Sequence, residues 1–147
     1  MGSEMCIRDS ITSNETIEGI QINNFNKIEN DLIIDSSSDI GSYMFDWDNV
    51  AYLYAGAQKN LGIPGVTISV VRDDFIERND NPTYLNLYKL INKDSLLNTP
   101  PTFAIYVLSL VTDWMLTMGG INYFERQSIE YSSDVYALLE RYDDHVT

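Results

Sequence analysis

Val50-Ala51-Tyr52-Leu53-Tyr54-Ala55-Gly56-Ala57-Gln58-Lys59-Asn60-Leu61-Gly62 is the stretch that decides the fold. An unbroken apolar run, Val50 to Ala55, feeds a turn of small residues that carries one lysine. Runs without polar alternation suit a strand covered on both faces of a sheet. Lysine is seldom buried without a reason. At a strand end, in a tight Gly/Ala turn, it can be desolvated. Its pKa then falls from ~10.4 toward neutrality, and the amine is free to attack a carbonyl. The residues alone leave the commoner alternative open, an exposed lysine in a strand-to-loop turn.

Two further apolar runs flank this one, Asp31 to Asp35 and Val66 to Val71. The β-branched content of the second argues for strand. Gly19 to Ile22 reads as a short strand, and another strand can end near Ile11 to Ser13. Asp35 and Lys59 lie 24 residues apart, each closely following a strand. That distance accommodates the crossover between adjacent parallel strands. Ligands of open α/β sheets sit outside the carboxyl ends of the strands. The spacing therefore lets both side chains reach one pocket. Arg72 to Ser95 is polar, carries Asn79-Asp80-Asn81-Pro82, and reads as a long loop with a structured piece near Tyr84 to Leu90.

From Thr102 the period changes. Phe103, Tyr106, Val107, Leu110, Val111, Trp114, Met115 and Met118 recur at helical spacing, and Gly119-Gly120 ends the helix. A second helix follows, with Ile121, Phe124, Tyr131, Val135, Leu138 and Leu139 on a looser stripe. Both stripes read as core. The expected class is α/β.

The chain has 147 residues, 44% of them apolar, which suits one ordinary domain. Its net charge is 9 − 22 = −13. Such a surface repels phosphate backbones and anionic membranes, so no nucleic-acid or membrane partner is expected. No apolar run approaches the ~18 residues of a membrane span. A single cysteine, Cys6, forms no internal disulfide and fits a reducing, cytoplasmic setting. His145, the only histidine, has no histidine or cysteine beside it and reads as a surface residue, so no metal site is expected. Residues 1–10 lack a signal-peptide core and read as foreign adapter sequence or a disordered start.

Four segments then carry a resemblance. They are Tyr54 to Gly62 with Pro64-Gly65-Val66-Thr67, Asn14-Glu15-Thr16-Ile17-Glu18-Gly19, Asp35-Ser36-Ser37-Ser38-Asp39-Ile40 and Asn98-Thr99-Pro100-Pro101-Thr102-Phe103. In order and spacing they resemble the phosphoserine aminotransferases, a family of class V, fold-type I pyridoxal-phosphate enzymes. The resemblance runs from about Ile11 to about Tyr142. It implies part of the cofactor-binding large domain over residues 11–101, a mostly parallel sheet of four strands, three of them parallel and Val66 to Val71 antiparallel. Over 102–147 it implies a long connecting helix and the beginning of a small domain.

The resemblance also implies roles. Lys59 is the lysine that takes pyridoxal 5'-phosphate as a Schiff base and later moves a proton. Asp35 pairs with the pyridine nitrogen and keeps it protonated. Thr16 bonds the ring oxygen, and Gln58 lies near the phosphate. Asn98 and Thr99 reach across a homodimer to the phosphate in the neighbouring subunit. The implied reaction is amino transfer between glutamate and 3-phosphohydroxypyruvate, in L-serine biosynthesis. Read without the family, Asp35 is a surface acid, Thr16 and Gln58 are turn residues, and Thr99 is a helix cap ahead of Pro100.

Departures from the family are expected to matter. The small-residue phosphate turn and the aromatic residue that stacks on the cofactor ring are not in this sequence. None of Arg8, Arg72, Arg78, Arg126 and Arg141 falls in a matching substrate-binding segment. Tyr43 stands near a position where the family often has a basic residue. The expectation is an internal fragment that does not transaminate alone. The alternatives are another class V enzyme, such as a serine–glyoxylate aminotransferase or a cysteine desulfurase relative, and a non-catalytic binding remnant of the same fold.

Overall fold

The structure, a computed structural model, describes residues 8–22, 24–25, 27–76, 82–83 and 86–142. Cys6, His145, Tyr84 and the Asn79 to Asn81 part of the polar loop lie outside the described residues.

A four-stranded sheet carries the chain, in the order β1 (Arg8–Thr12), β4 (Asp31–Asp35), β5 (Val50–Gly56) and β6 (Thr67–Val71). β1 runs parallel to β4, and β4 parallel to β5. β6 returns antiparallel to β5, with Leu53 opposite Val70. The expected three-plus-one arrangement is therefore present. Two expectations need correction. Arg8, Asp9 and Ser10, read as part of a start that would be disordered, are ordered and pair with Asp31, Leu32 and Ile33. β1 needs them because Ile11 and Thr12 alone are too short to hold a parallel register. The short strand foreseen at Gly19 to Ile22 is β3 (Ile20–Gln21), and it leaves the main sheet to pair with β2 (Asn14–Glu15).

One face of the sheet is packed. Leu32, Ile34, Val50, Leu53 and Ala55 bury themselves with Phe25, while Ile11, Ile28, Ile40 and Phe45 close the cluster. The opposite face keeps Tyr52 and Tyr54 half-buried, with Phe75 stacked on Tyr52 at 6.1 Å. Coverage of both faces, expected from the unbroken runs, is not complete among the described residues. An apolar run reports that both faces tolerate burial, not that both have a neighbour. Arg72 ties the end of the sheet together by pairing with Asp31 at 2.8 Å, as well as with Asp74.

The polar loop contributes a single turn of 3-10 helix at Asp73–Phe75 and α1 (Leu87–Ile91), capped by the Asn86 side chain. α2 (Thr102–Thr117) begins and ends where the sequence places it. Its N-cap is Pro101 and has no side-chain hydrogen bond, so Thr99 does not cap the helix. α2 packs through Ala104, Leu108, Val111 and Met115. The last three contribute to a second cluster with Ala57, Leu61, Val66, Ile68 and Phe124. This line is offset from the stripe read as core. Phe103 (70% exposed), Tyr106, Leu110 and Trp114 point outward. The helix is apolar almost all round, so its period cannot say which face meets the sheet. α3 (Ile121–Arg141) meets α2 at 82°. Its Tyr131, Val135, Leu138 and Leu139 are exposed too, against the core reading. Among the described residues no single helix is long and apolar enough to cross a membrane.

Candidate active site

The three parallel strands end side by side, and each hands over to a segment the sequence singled out. β1 passes through Ser13 to Asn14, Glu15 and Thr16, β4 ends on Asp35, and β5 ends on Gly56 ahead of Gln58 and Lys59. Backbone bonds carry the pairing past the strand ends. Ser13 N donates to Asp35 O at 3.0 Å, and Ser36 N to Tyr54 O at 2.9 Å. The candidate residues therefore share the carboxyl end of the sheet, where open α/β sheets hold ligands.

Lys59 Nζ donates to Thr16 Oγ1 at 2.8 Å, across 43 residues of sequence. Lys59 is exposed, which corrects the expected desolvation. The turn lifts its side chain clear of the strand end, and the Thr16 hydroxyl, not an apolar wall, fixes the amine. Asp35 is half-buried, and its Oδ1 accepts from Ser37 N at 2.9 Å. Tyr54, directly opposite Asp35 in the ladder, has its pKa raised, first by burial and next by the Asp35 charge. Gln58 is exposed and folds back over Gly56. A Cβ on Gly56 would collide with the Gln58 carboxamide. Asn98 and Thr99 are exposed in the turn before α2, and no described hydrogen bond links them to Thr16, Asp35, Gln58 or Lys59.

Residues that sequence reasoning passed over build the floor. Ser37 Oγ accepts from Gly56 N at 3.1 Å. Ser38 Oγ donates to Asn14 O at 2.6 Å, and Asn14 Nδ2 returns a bond to that Oγ at 2.9 Å. Asn60 Nδ2 reaches the carbonyls of Ser38 and Ile40 at 3.4 and 3.1 Å. Beneath them Asp39, 3% exposed, accepts at Oδ1 from Ser13 and Ser36 hydroxyls, each at 2.7 Å. The available signal was three serines between two aspartates immediately after a strand, too many hydroxyls for a plain turn. A polar cavity of about 520 Å³ opens beside this floor, lined in part by Asn14, Ser38, Asp39, Tyr43, Asn60 and Glu125. Lys59 and Asp35 stand outside it, on the open carboxyl edge.

An exposed primary amine, a hydroxyl, a carboxyl group and an uncharged carboxamide thus meet at one sheet end. That set can capture a carbonyl compound covalently and hold a ring nitrogen and an anionic group around it. Among the described residues no cluster of three or more histidine, cysteine, aspartate or glutamate side chains could hold a metal ion.

Comparison with known proteins points the same way. The family described as Aminotransferase class-V matches residues 9–147. The phosphoserine aminotransferase of Geobacillus kaustophilus is 45% identical over 132 residues, 88% of this chain and 37% of that protein. That of Campylobacter jejuni is 40% identical over 133 residues, with the same coverage. The solved structure of a PLP-bound phosphoserine aminotransferase from Trichomonas vaginalis superposes with a TM-score of 0.90 at 30% identity, covering 100% of this chain and 44% of that one. The enzyme from Bacillus circulans subsp. alkalophilus gives 0.83 at 40% identity, covering 89% and 37%. The chain spans less than two fifths of the length of these curated relatives.

Proposed function

We propose, from the premise that this chain belongs to the class V aminotransferase family, that it carries the cofactor lysine and its supports in a phosphoserine aminotransferase. The reaction is amino transfer between glutamate and 3-phosphohydroxypyruvate, a step of L-serine biosynthesis, with pyridoxal 5'-phosphate as cofactor. We place it in the cytoplasm, in keeping with a single cysteine. The observation that carries the proposal is the 2.8 Å bond from Lys59 Nζ to Thr16 Oγ1 at the sheet end that also presents Asp35.

The donor set suits the cofactor. Lys59 Nζ is exposed, so a carbonyl carbon can reach it. Thr16 already bonds the amine and can turn its hydroxyl to a ring oxygen. Asp35 Oδ1 accepts from Ser37 N, which fixes the carboxyl plane, and the carboxyl, which also acts on the neighbouring Tyr54 hydroxyl, can pair with a protonated ring nitrogen. Gln58 offers amide donors to a phosphate without adding charge. When bound, the cofactor supplies an electron sink for the pair left on the substrate carbon. Lys59 Nζ, once released, carries the proton to and from that carbon. Asn98 and Thr99 are exposed in the turn before α2, in keeping with a role at the phosphate in a second subunit of a homodimer.

The test is site-selective labelling. Pyridoxal 5'-phosphate is added to the chain, the adduct is reduced with borohydride, and the label is mapped by peptide mass. We expect it on Lys59, and lost in Lys59→Ala. Equal labelling of Lys27, Lys89 and Lys93 would sink the proposal.

A further inference from the structure

We infer that Asp39 is a positioning residue. Through one buried oxygen it locks the ends of β1 and β4, and so sets the geometry between Thr16, Asp35 and Lys59. The inference rests on the proposed cofactor role of Lys59.

Asp39 lies four residues past Asp35, and among the described residues no hydrogen bond or ion pair joins it to Lys59. Ser13 and Ser36 are fully buried, and both hydroxyls converge on Asp39 Oδ1 at 2.7 Å. Ser13 follows β1 and stands three residues before Thr16. Ser36 follows Asp35 directly. One acceptor atom thus ties together the two chain segments that present the hydroxyl and the acid. The Ser13 hydroxyl also lies 3.2 Å from Asp35 O, but its single proton goes to the shorter, charge-assisted partner. Ser42 Oγ donates to Asp39 O at 2.6 Å and holds the acid's own backbone.

The other oxygen makes the case for positioning over stability. Asp39 Oδ2 is buried and has no hydrogen-bond partner among the described residues, and neither has the adjacent Tyr43 hydroxyl. Burying a carboxylate is costly unless its oxygens are satisfied. A half-satisfied acid is a poor stabiliser. What it does supply is a fixed acceptor that two hydroxyl donors can share, at the floor of the site. The Tyr43 hydroxyl lies close enough to Asp39 and Ser13 for both to act on its pKa, but it meets neither in full hydrogen-bond geometry.

The amide oxygen of an asparagine can accept both serine hydroxyls, whereas an alanine can accept neither. The labelling experiment with pyridoxal 5'-phosphate and borohydride is run on the 147-residue chain and on Asp39→Asn and Asp39→Ala. Lys27, Lys89 and Lys93 serve as internal references. Asp39→Ala should lower the Lys59 label about tenfold relative to those lysines, the scale of a lost charge-assisted hydrogen bond. Asp39→Asn should stay within about twofold of the parent, because the acceptor survives and only the charge is lost. Parent-like labelling of Asp39→Ala overturns the inference, and so does an Asp39→Asn as weak as Asp39→Ala.

Urea midpoints establish that each variant is folded. Where Asp39→Ala is not, Ser13→Ala and Ser36→Ala remove one donor each, and each should lower the Lys59 label on its own. Parent-like labelling of both would overturn the inference. If the parent itself shows no preference for Lys59, the proposed function fails, and Asp39 is read without cofactor. Reductive methylation of Lys59, again relative to the three reference lysines, should then be several-fold faster in Asp39→Ala, because the Thr16 bond no longer restrains the amine. It should be unchanged in Asp39→Asn. An unchanged rate in Asp39→Ala would overturn the inference on its own.

Discussion

At the scale of single residues the site is a set of hydroxyls and amides arranged around one amine, and one buried phenol beside it reports on its floor. Tyr43 has its pKa raised above the ordinary 10.0, first by burial and then by the charge of Asp39. Unfolded Tyr43 loses its proton near pH 10.0, while the folded residue keeps it. Above that pH the folded state binds more protons, so stability falls as pH rises. Tyr43→Phe removes this loss and also removes an unpartnered buried hydroxyl. Urea midpoints of variant and parent should therefore diverge in the variant's favour above pH 10.0, with a constant difference below it. A difference that does not change across that pH would contradict the assignment. Lys59 and Asp35 stand out in the sequence because each closely follows an apolar run, and Thr16 only because its segment resembles a known family. Ser13, Ser36 and Asp39 do not stand out. Serine and aspartate after a strand read as turn chemistry. The burial of Ser13 and Asp39 depends on a bond spanning 26 residues, which no local pattern encodes.

At the scale of elements, β4, β5, β6 and α2 fall within a residue or so of their expected bounds. Apolar runs and a glycine pair mark element ends directly. What the pattern could not give is the face of α2, because residues on both sides of it are apolar. The break between α2 and α3 is set by backbone, not by packing. Gly119 has φ +115°, and Gly120 has φ +68° with ψ −162°, a region that L side chains rarely adopt. A Cβ on Gly120 would meet nothing within 4 Å, so any cost of adding one is conformational. Gly120→Ala should therefore destabilise the chain by ~1–3 kcal/mol. The urea midpoint measures it, and circular dichroism should show helix content nearly unchanged. A stability equal to the parent's would mean that the elbow relaxes without cost.

At the scale of the whole molecule two apolar clusters share the chain. One lies under β4 and β5, and the other lies between the turn after β5, β6 and α2. The sequence showed enough apolar residues for a core but not its division, which depends on where α2 lands. Exposed Phe103, Trp114, Leu116, Tyr131 and Val135 leave the helical side with much uncovered apolar surface, and the second cluster has three buried side chains where the first has six. Ile40 packs against both clusters. The consequence is thermal. A side chain shared by two packed bodies lets the order of one be felt by the other, so they melt together. Shortening it cuts that link, and the cost falls on cooperativity as much as on total stability. Ile40→Ala should lower stability by ~2 kcal/mol, the low end for a half-buried isoleucine. It should also split a single calorimetric transition into two, with the α2 side melting first. A single transition, merely shifted, would mean that the clusters are joined elsewhere. The same side chain follows Asp39 directly, so the residue that couples the two halves of the molecule's heat response is anchored in the floor of its chemistry.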